Sequence, residues 1–305
     1  MSRPAGLYIH VPFCKTKCPY CDFYSVTDLS SVEPWLSALN REILFYKGRL
    51  DPFDSLYIGG GTPSVLDVSH TERLFNTLFD NFRFSADTEI TVEVNPDDVT
   101  EEKLTLLRSL GVNRLSIGVQ SFNNKELSFL NRRNTVEDNE RAITLVKTCG
   151  FTNFGIDLMY GLPGQTQTDW RRTLKRTISF DPPHLSCYQF TLEEGTPLGK
   201  LKSDGKLTCH DEKEESRFFL NTSHFLKKHT FIHYEISNFA KARRYSSRHN
   251  LKYWHHVPYL GLGPAAHSFQ NNKRWWNFRS LEKYIEAADS GKLPIEGSEM
   301  LSPEQ

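Results

Sequence analysis

The chain has 305 residues and carries 37 Lys+Arg against 37 Asp+Glu, so its formal net charge is zero. Hydrophobic residues make up 38% and charged residues 24%, which is typical of a folded globular protein and too apolar for a disordered one. The neutral balance gives no electrostatic reason to expect nucleic acid as the main partner, and no run approaches the roughly 18 apolar residues that span a bilayer.

The cysteines are placed unevenly along the chain. Six are too few for a disulfide scaffold of this size, and the first ten residues lack the apolar core and cleavage pattern of a secretory signal. These features predict a cytoplasmic protein. Three of the cysteines, Cys14, Cys18 and Cys21, lie within eight residues, whereas the other three are scattered. This clustering is the first indication of a functional site.

The first two hundred residues alternate between short β-branched or aromatic runs and longer segments with helical periodicity. In chain order, strands are predicted at residues 7–11, 55–58, 89–94, 114–119, 153–159 and 184–190. Helices are predicted at 34–46, 71–79, 136–149 and 169–178, and between the N-cap Thr100 and the closing Gly111. A longer helix is predicted from Asp211 to Lys228.

Strand followed by helix, repeated at least six times, predicts an α/β protein with a parallel sheet and right-handed crossovers. A complete or partial barrel fits this pattern best. Polar and glycine-rich residues follow the strands, and in such folds the site lies at the strand carboxyl ends. After Phe231 the alternation breaks down, and we place a boundary near residue 205, between a barrel (1–205) and a smaller α+β region (206–305).

Cys14, Cys18 and Cys21 follow the first predicted strand with the spacing C-x3-C-x2-C. Three thiolates on a tight loop can hold three irons of a cubane cluster and leave the fourth iron without a protein ligand. The alternative is a zinc site completed by a histidine such as His10, although C-x2-C pairs are the usual spacing for zinc. The spacing favours the iron–sulfur cluster.

The cysteine motif, after Leu7-Tyr-Ile-His-Val-Pro, resembles the radical S-adenosylmethionine (SAM) enzymes. More narrowly, it is similar to the branch that contains oxygen-independent coproporphyrinogen III oxidase (HemN) and the heme chaperones (HemW). The likeness covers nearly the whole chain and rests on seven further motifs: Gly59-Gly-Gly-Thr-Pro, Glu93-Val-Asn-Pro, Ser116-Ile-Gly-Val-Gln-Ser-Phe, Asn131-Arg-Arg, Asp157-Leu-Met-Tyr-Gly-Leu-Pro-Gly-Gln-Thr, His249-Asn-Leu-Lys-Tyr-Trp and Gly261-Leu-Gly-Pro-Ala-Ala-His-Ser-Phe.

The resemblance implies a partial (β/α)6-type radical SAM barrel over residues 1–205. Residues 206–305 would form the C-terminal region of the HemN and HemW proteins. Since family members continue into a further helical domain, we expect either that this chain is truncated or that the domain is dispensable.

The resemblance also implies a [4Fe–4S] cluster, with SAM chelating its open iron through the amino and carboxylate groups. One electron from the reduced cluster would then release a 5′-deoxyadenosyl radical, while the protein binds, orients and excludes water. The implied partners are heme, heme-acceptor proteins and an electron donor such as a flavodoxin or a ferredoxin.

Nine residues are expected to contact SAM on the strength of the resemblance. Glycines permit close backbone approach, carboxylates and an amide accept or donate hydrogen bonds, and an arginine fork suits a carboxylate. From the residues alone, a plain tight turn, surface acids and a charged helix end remain the alternatives. The nine residues are Tyr8, Tyr20, Gly60, Gly61, Thr62, Glu93, Gln120, Arg132 and Asp157.

One position separates the two branches of the family. The oxidase branch carries an extra cysteine two positions after the third, where this chain has Phe23. The resemblance therefore favours a heme chaperone over an oxidase that decarboxylates coproporphyrinogen. A metal-stabilised scaffold without catalysis is a further alternative, but it would leave the glycine and carboxylate positions without a purpose.

The H-N-x-x-Y-W element is the second feature that favours the chaperone branch, where it is associated with heme binding. It supplies His249, Asn250, Tyr253 and Trp254; an imidazole can ligate heme iron and adjacent rings can stack on the macrocycle. The alternative is that His249 and Asn250 cap a short helix whose rings fill the core. Further possible ligands, which the sequence does not rank, are His255, His256 and His267.

Overall fold

The computed structural model of the chain describes residues 3–50 and 52–302. Up to residue 190 strands and helices alternate, as predicted. The strands are β1 (Ala5–Val11), β2 (Phe53–Gly60), β3 (Phe84–Val94), β4 (Arg114–Gln120), β5 (Phe154–Tyr160) and β6 (His184–Gln189). The helices are α1 (Val32–Tyr46), α2 (Val68–Asn81), α3 (Glu101–Ser109), α4 (Asn124–Phe129), α5 (Val136–Thr148) and α6 (Gln167–Ser179).

The six strands are parallel and lie side by side in chain order, so each pairs with the strand before and after it. Such an order follows when every crossover helix returns over the same face of the sheet. Within the described residues the sheet does not close on itself. The predicted α/β fold with a partial (β/α)6 barrel is confirmed.

Threonine N-caps set where several helices begin. Thr100 accepts a hydrogen bond from the backbone N–H of Lys103, which confirms the predicted start of α3. Thr135 and Thr166 each form a capping box with an aspartate three residues later, at the starts of α5 and α6. The sequence does not predict the six-residue helix α4, because so short a helix shows too little apolar periodicity.

Side chains alternate between the two faces of the parallel strands. On β1, Leu7, Ile9 and Val11 belong to the hydrophobic core beneath the helices, whereas Tyr8 and His10 lie on the opposite face, which we call the inner face. On the other five strands the inner face carries polar or small residues: Ser55, Tyr57, Gly59, Thr91, Glu93, Arg114, Ser116, Gly118, Gly155, Asp157, His184, Ser186 and Tyr188.

The later part of the chain adds short strands to both edges of the same sheet. After α7 (Pro197–Ser203) and α8 (Glu212–Lys228), β7 (Ile232–His233) and β8 (Asn238–Ala240) lie beyond β6. From β1 the sheet continues through β9 (Tyr259–Leu262), β10 (His267–Gln270), β11 (Lys273–Asn277) and β12 (Ile295–Met300). Two further helices are α9 (Arg248–Trp254) and α10 (Leu281–Asp289).

The two predicted parts of the chain share one sheet, and the division near residue 205 stays a prediction. The added strand β9 runs parallel to β1, while the other added strands pair antiparallel. In the parts of the chain that the structure describes, no helix is both long and apolar enough to cross a membrane.

Candidate cofactor site

The three clustered cysteines lie on the loop that follows β1, at the carboxyl end of the parallel sheet. We call residues 14–21 the cysteine loop. All three thiols are free and half-buried, and the loop turns on a hydrogen bond of 3.1 Å from the N–H of Cys21 to the carbonyl of Cys18. Burial raises the pKa of the Cys21 thiol, and its cysteine neighbours raise it further. Bound metal would reverse this effect, because a coordinated thiol is deprotonated.

Several of the predicted site residues converge on one cleft beside the cysteine loop. We call residues 59–63, at the end of β2, the glycine loop. The Sγ atom of Cys14 lies 3.3 Å from Oγ1 of Thr62, which joins the cysteine loop to the glycine loop. The predicted residues that line the cleft are Cys14, Cys18, Cys21, Tyr20, Gly61, Thr62 and Arg132. The structure thus brings predicted residues from three separate loops to one cleft, and their contact with a cofactor stays a prediction.

His10 is not free to complete a zinc site. Its Nδ1 atom lies 3.0 Å from the hydroxyl of Tyr8, and its Nε2 atom lies 2.9 Å from the carbonyl of Tyr24. Burial also lowers the pKa of His10 to about 4. Within residues 3–50 and 52–302, no three His, Cys, Asp or Glu side chains are grouped around a single metal position. With both of its ring nitrogens engaged, His10 gives the zinc alternative no support.

Two of the predicted SAM contacts carry buried acceptor atoms without a hydrogen-bond partner in the structure. They are Oε1 of Gln120 and Oδ1 of Asp157. The other oxygen of Asp157 accepts a hydrogen bond of 2.8 Å from Ser116, and burial raises the pKa of Asp157. Buried polar atoms are rarely left unpaired, so these two acceptors fit a ligand that brings its own donors.

The backbone at Gln120 is strained. Its φ is +66°, a left-handed conformation that non-glycine residues rarely adopt, and the β4–β5 pairing shifts register between Ile117 and Gln120. Strain of this kind clusters at functional sites. The left-handed turn and the irregular pairing set the direction in which the Gln120 amide leaves the strand end.

Glu93 lies on the inner face beside a residue that the sequence analysis missed. The hydroxyl of Tyr57 donates a hydrogen bond of 2.7 Å to Oε1 of Glu93, and the N–H of Gly60 donates one of 3.3 Å to Oε2. Burial raises the pKa of Glu93 to about 7. The signal for Tyr57 was its place between Ser55 and Gly59, on the same face of β2.

The glycine loop allows the cysteine loop to pack closely against it. A Cβ atom on Gly61 would lie 2.6 Å from the carbonyl oxygen of Phe13, and one on Gly60 would lie 2.7 Å from the His10 ring. The N–H of Thr62 donates a hydrogen bond of 2.7 Å to the same Phe13 oxygen. These glycines thus admit the protein's own backbone and a ring; their contact with SAM stays a prediction.

Arg132 places a guanidinium beside Cys18. Its Nη2 atom donates to the carbonyl of Gly118 at 2.6 Å and to the side-chain oxygen of Asn95, and Nη1 lies 4.0 Å from the Cys18 sulfur. Its acceptors are neutral, and among the described residues it forms no ion pair. The cation is therefore fixed in position with its charge available to a ligand carboxylate.

The two predicted tyrosines occupy different depths of the site. Tyr20 belongs to a small apolar cluster and meets the Phe190 ring edge-on at 6.2 Å, an environment that suits a flat adenine. Tyr8 lies deeper on the inner face, with its ring 6.2 Å from that of Tyr57. Its hydroxyl is engaged by His10, whose ring packs beneath Gly60.

His249 is buried on α9 with both ring nitrogens engaged. Nδ1 lies 3.1 Å from the hydroxyl of Ser55, and Nε2 lies 2.9 Å from that of Tyr253. Burial lowers the pKa of His249 to about 3. Neither ring nitrogen of His249 is free in this arrangement, and its place among the heme residues stays a prediction.

For the H-N-x-x-Y-W element, the alternative was a capped short helix whose rings fill the core, and it is wrong in its details. Ser247, not His249 or Asn250, caps α9, since its hydroxyl accepts from the N–H of Asn250 at 3.3 Å. Tyr253 and Trp254 do not fill the core: they are 41% and 51% exposed. The element therefore combines the buried His249 with the exposed rings of Tyr253 and Trp254.

The three further candidate histidines are exposed. His255 and His256 follow α9 and are exposed, and the His256 ring meets Phe269 edge-on at 5.9 Å. His267 on β10 is exposed as well and stacks on Trp276 at 5.8 Å. We call Tyr253, Trp254, His255, His256 and His267 the aromatic surface.

The aromatic surface and the cysteine loop belong to opposite ends of the parallel sheet. The start of α9 is held at the amino ends of the strands, where Glu89 accepts from the N–H of Arg248 at 2.8 Å and Ser55 contacts His249. The cysteine loop follows the carboxyl end of β1. Because β1 has seven residues at about 3.3 Å each, the two ends are about 20 Å apart. The exposed rings therefore lie away from the cysteine loop, but His249 packs against the inner face: its ring lies 6.2 Å from that of Tyr8, a predicted SAM contact, and 5.3 Å from that of Tyr57.

Asp98 is a further residue that the sequence analysis missed. It ends the Asn95-Pro-Asp-Asp98 turn after β3 and its side chain is buried between the cysteine loop and the glycine loop. The signal was the pair of aspartates directly after a strand end, beside the Glu93 motif.

The chain is similar in sequence to radical SAM proteins, among them heme chaperones. A model of the radical SAM superfamily matches residues 8–177. The heme chaperone HemW of Synechocystis is 34% identical over 310 residues, which cover 98% of this chain and 75% of that protein. HemW of Escherichia coli is 36% identical over 270 residues, covering 87% of this chain and 70% of that protein.

A solved structure has a similar fold over nearly the whole chain. It is the coproporphyrinogen III oxidase HemN of Escherichia coli, described as a radical SAM enzyme. The TM-score is 0.85 at 28% identity, with 99% of this chain and 73% of that chain covered.

Proposed function

Because the chain belongs to the radical SAM superfamily and, within it, to the family of heme chaperones HemW, we propose that it binds heme for delivery to other proteins and holds a [4Fe–4S] cluster and SAM at the cysteine loop. The observation that carries the cofactor part is the convergence of three thiols, a fixed guanidinium and unpaired acceptors at one end of the sheet.

The residues of the site divide the binding of the cofactors among them. Cys14, Cys18 and Cys21 would ligate three irons, and Arg132 would meet the carboxylate of SAM. The unpaired oxygens of Gln120 and Asp157, together with Glu93, would accept from its amino and ribose groups. Gly60, Gly61, Thr62, Tyr8 and Tyr20 would shape the cavity. When bound, the cluster and SAM supply one-electron chemistry that the protein's own groups lack.

Heme binding is proposed for the aromatic surface. Exposed Trp254 and Tyr253 offer faces on which a macrocycle can stack, and His255, His256 and His267 offer imidazoles that are not buried. Its position at the amino end of the sheet is away from the cysteine loop, which follows the carboxyl end of β1. Heme would therefore bind without displacing the cluster or SAM.

The oxidase is the second candidate function, and Phe23 argues against it. This residue stands where the oxidase branch carries cysteine, and its ring is 70% exposed beside the cysteine loop. Similarity in fold to HemN is what keeps the alternative open.

Heme titration of the anaerobically purified protein tests the proposal. A Soret band that saturates at about one heme per chain, in wild type and in Cys18→Ser alike, is expected, since the two sites share no ligand. Transfer of that heme to an apo-hemoprotein should follow. Vinyl product from coproporphyrinogen under reducing conditions with SAM would instead assign the oxidase activity.

A further inference from the structure

Asp98 joins three loops of the cofactor site through one buried carboxylate. Its Oδ1 atom accepts a hydrogen bond of 2.6 Å from Nζ of Lys15, which lies within the cysteine loop. Its Oδ2 atom accepts from the hydroxyl of Ser64 at 3.1 Å and lies 3.3 Å from Nη2 of Arg133. The side chain of Asp98 is only 2% exposed.

Each partner of Asp98 is close in sequence to a residue of the proposed cofactor site. Lys15 follows Cys14, and Ser64 follows the Thr62-Pro63 end of the glycine loop. Arg133 follows Arg132, whose guanidinium lies beside Cys18. A shift of the Asp98 carboxylate would therefore displace the Cys14 thiol, the glycine loop and the Arg132 guanidinium together.

The rest of the turn strengthens this connection. Asn95 accepts from Nη2 of Arg132, and its N–H donates to the hydroxyl of Ser64 at 3.1 Å. Asp97 forms an ion pair with Arg133. The two adjacent arginines thus have different partners: Arg132 lies beside Cys18 of the cysteine loop, and Arg133 pairs with Asp97 and Asp98.

The energetics indicate that the Asp98 carboxylate serves to position the loops around it. The Lys15 side chain is 46% exposed, so its ion pair contributes little by itself. Asp98 is buried, however, and its two oxygens are fully partnered only when Lys15, Ser64 and Arg133 all reach it. The geometry that satisfies Asp98 is therefore the one in which all three loops are in place.

We infer that Asp98 is a positioning residue for the iron–sulfur site: it fixes the cysteine loop, through Lys15, relative to the glycine loop and Arg132. This inference rests on the proposed cluster. Residues around a metal site that orient its ligands typically change metal affinity by about 10–100-fold when replaced. Asp98 acts in this way through the loop, without touching the cluster.

Removal of iron by a chelator from the reconstituted protein tests the inference. Asp98→Asn keeps the size of the side chain and removes its charge, and Lys15→Met removes the partner in the cysteine loop. Each should speed iron loss about tenfold, and the double variant should be no faster than the faster single one, because both break the same contact. Lys213→Met is the control: Lys213 is an exposed lysine of α8, outside the cofactor site.

Amide hydrogen exchange in the metal-free protein gives a second readout. Faster exchange confined to residues 14–21 is expected in both variants, with an unchanged denaturation midpoint. A role in general stability would instead lower the midpoint and speed exchange throughout the chain. Wild-type rates of iron loss in Lys15→Met, or multiplied effects in the double variant, would overturn the inference. If wild type takes up no iron, the proposed function fails, and the exchange measurement still decides the role of Asp98.

Discussion

The hydroxyl of Tyr57 donates a 2.7 Å hydrogen bond to Glu93, whose carboxyl has a pKa raised by burial to about 7. Glu93 is therefore ionised above pH 7 and protonated below it. An ionised carboxylate is the better acceptor for the amino or ribose group of SAM. The hydrogen bond from Tyr57 persists in both states and keeps the group in place.

The affinity for SAM should consequently fall as the pH falls through 7, by up to about tenfold per pH unit. Glu93→Gln should bind SAM weakly at pH 8 and show little change between pH 6 and 8. Calorimetric titration of the reconstituted protein measures this, with Glu101→Gln, an exposed carboxylate, as the control. A wild-type affinity that is flat over this range would exclude Glu93 as the titrating contact.

Arg132→Ala should weaken SAM binding by about 1.5–3 kcal/mol, because a carboxylate would lose a charge-assisted partner. Arg132→Lys keeps the charge but loses the fork, so an intermediate loss is expected. The dissociation constants come from the same titration, with the exposed Arg172→Ala as control. Equal affinity in wild type and Arg132→Ala would remove this residue from the site.

His249 and the exposed histidines should respond differently to replacement. His249→Ala leaves Ser55 and Tyr253 without a buried partner and should cost about 2–4 kcal/mol of unfolding free energy. The Soret position of bound heme should stay where it is. If His255 or His256 is the ligand, its alanine variant should shift that band with a stability change within about 0.5 kcal/mol. A shifted band in His249→Ala alone would return the ligand to the buried position.

The buried carboxyl of Glu42 should make the free energy of unfolding depend on pH. This buried residue of α1 accepts hydrogen bonds from the N–H of Gly263 at 2.9 Å, from Asn277 at 2.6 Å and from Tyr284 at 2.6 Å. Burial nevertheless raises its pKa to about 7. A carboxyl whose folded pKa exceeds its unfolded value binds its proton more tightly in the native state. Its contribution to stability is therefore lost as the pH rises from about 4.5 to 7.

The loss should amount to about 3 kcal/mol at most. Urea unfolding at pH 5 and pH 8 measures it, and Glu42→Gln should reduce the difference between the two pH values, whereas the exposed Glu286→Gln should not. An identical pH dependence in wild type and Glu42→Gln would show that another group is responsible.

The sequence predicts the parallel sheet well because its signals are local. Apolar periodicity marks the long helices, and Thr100 marks a helix start. The strands after residue 230 escaped prediction, since several have only two to four residues and are defined by pairing with distant strands.

The site shows the same division between local and distant information. The cysteine spacing and the glycine loop are local motifs, and the structure brings them to one cleft. The burial of His249 depends on its packing against Ser55, 194 positions away along the chain. The partners of Asp98 come from three separate loops, so only the assembled fold reveals its role.

The most direct test of the account is EPR spectroscopy of the anaerobically reconstituted and reduced protein, before and after addition of SAM. We expect about four iron and four sulfide per chain, an EPR signal that changes when SAM is added, and loss of the signal in Cys18→Ser. Tightly bound zinc without labile sulfide, or a cluster signal that SAM leaves unchanged, would contradict it.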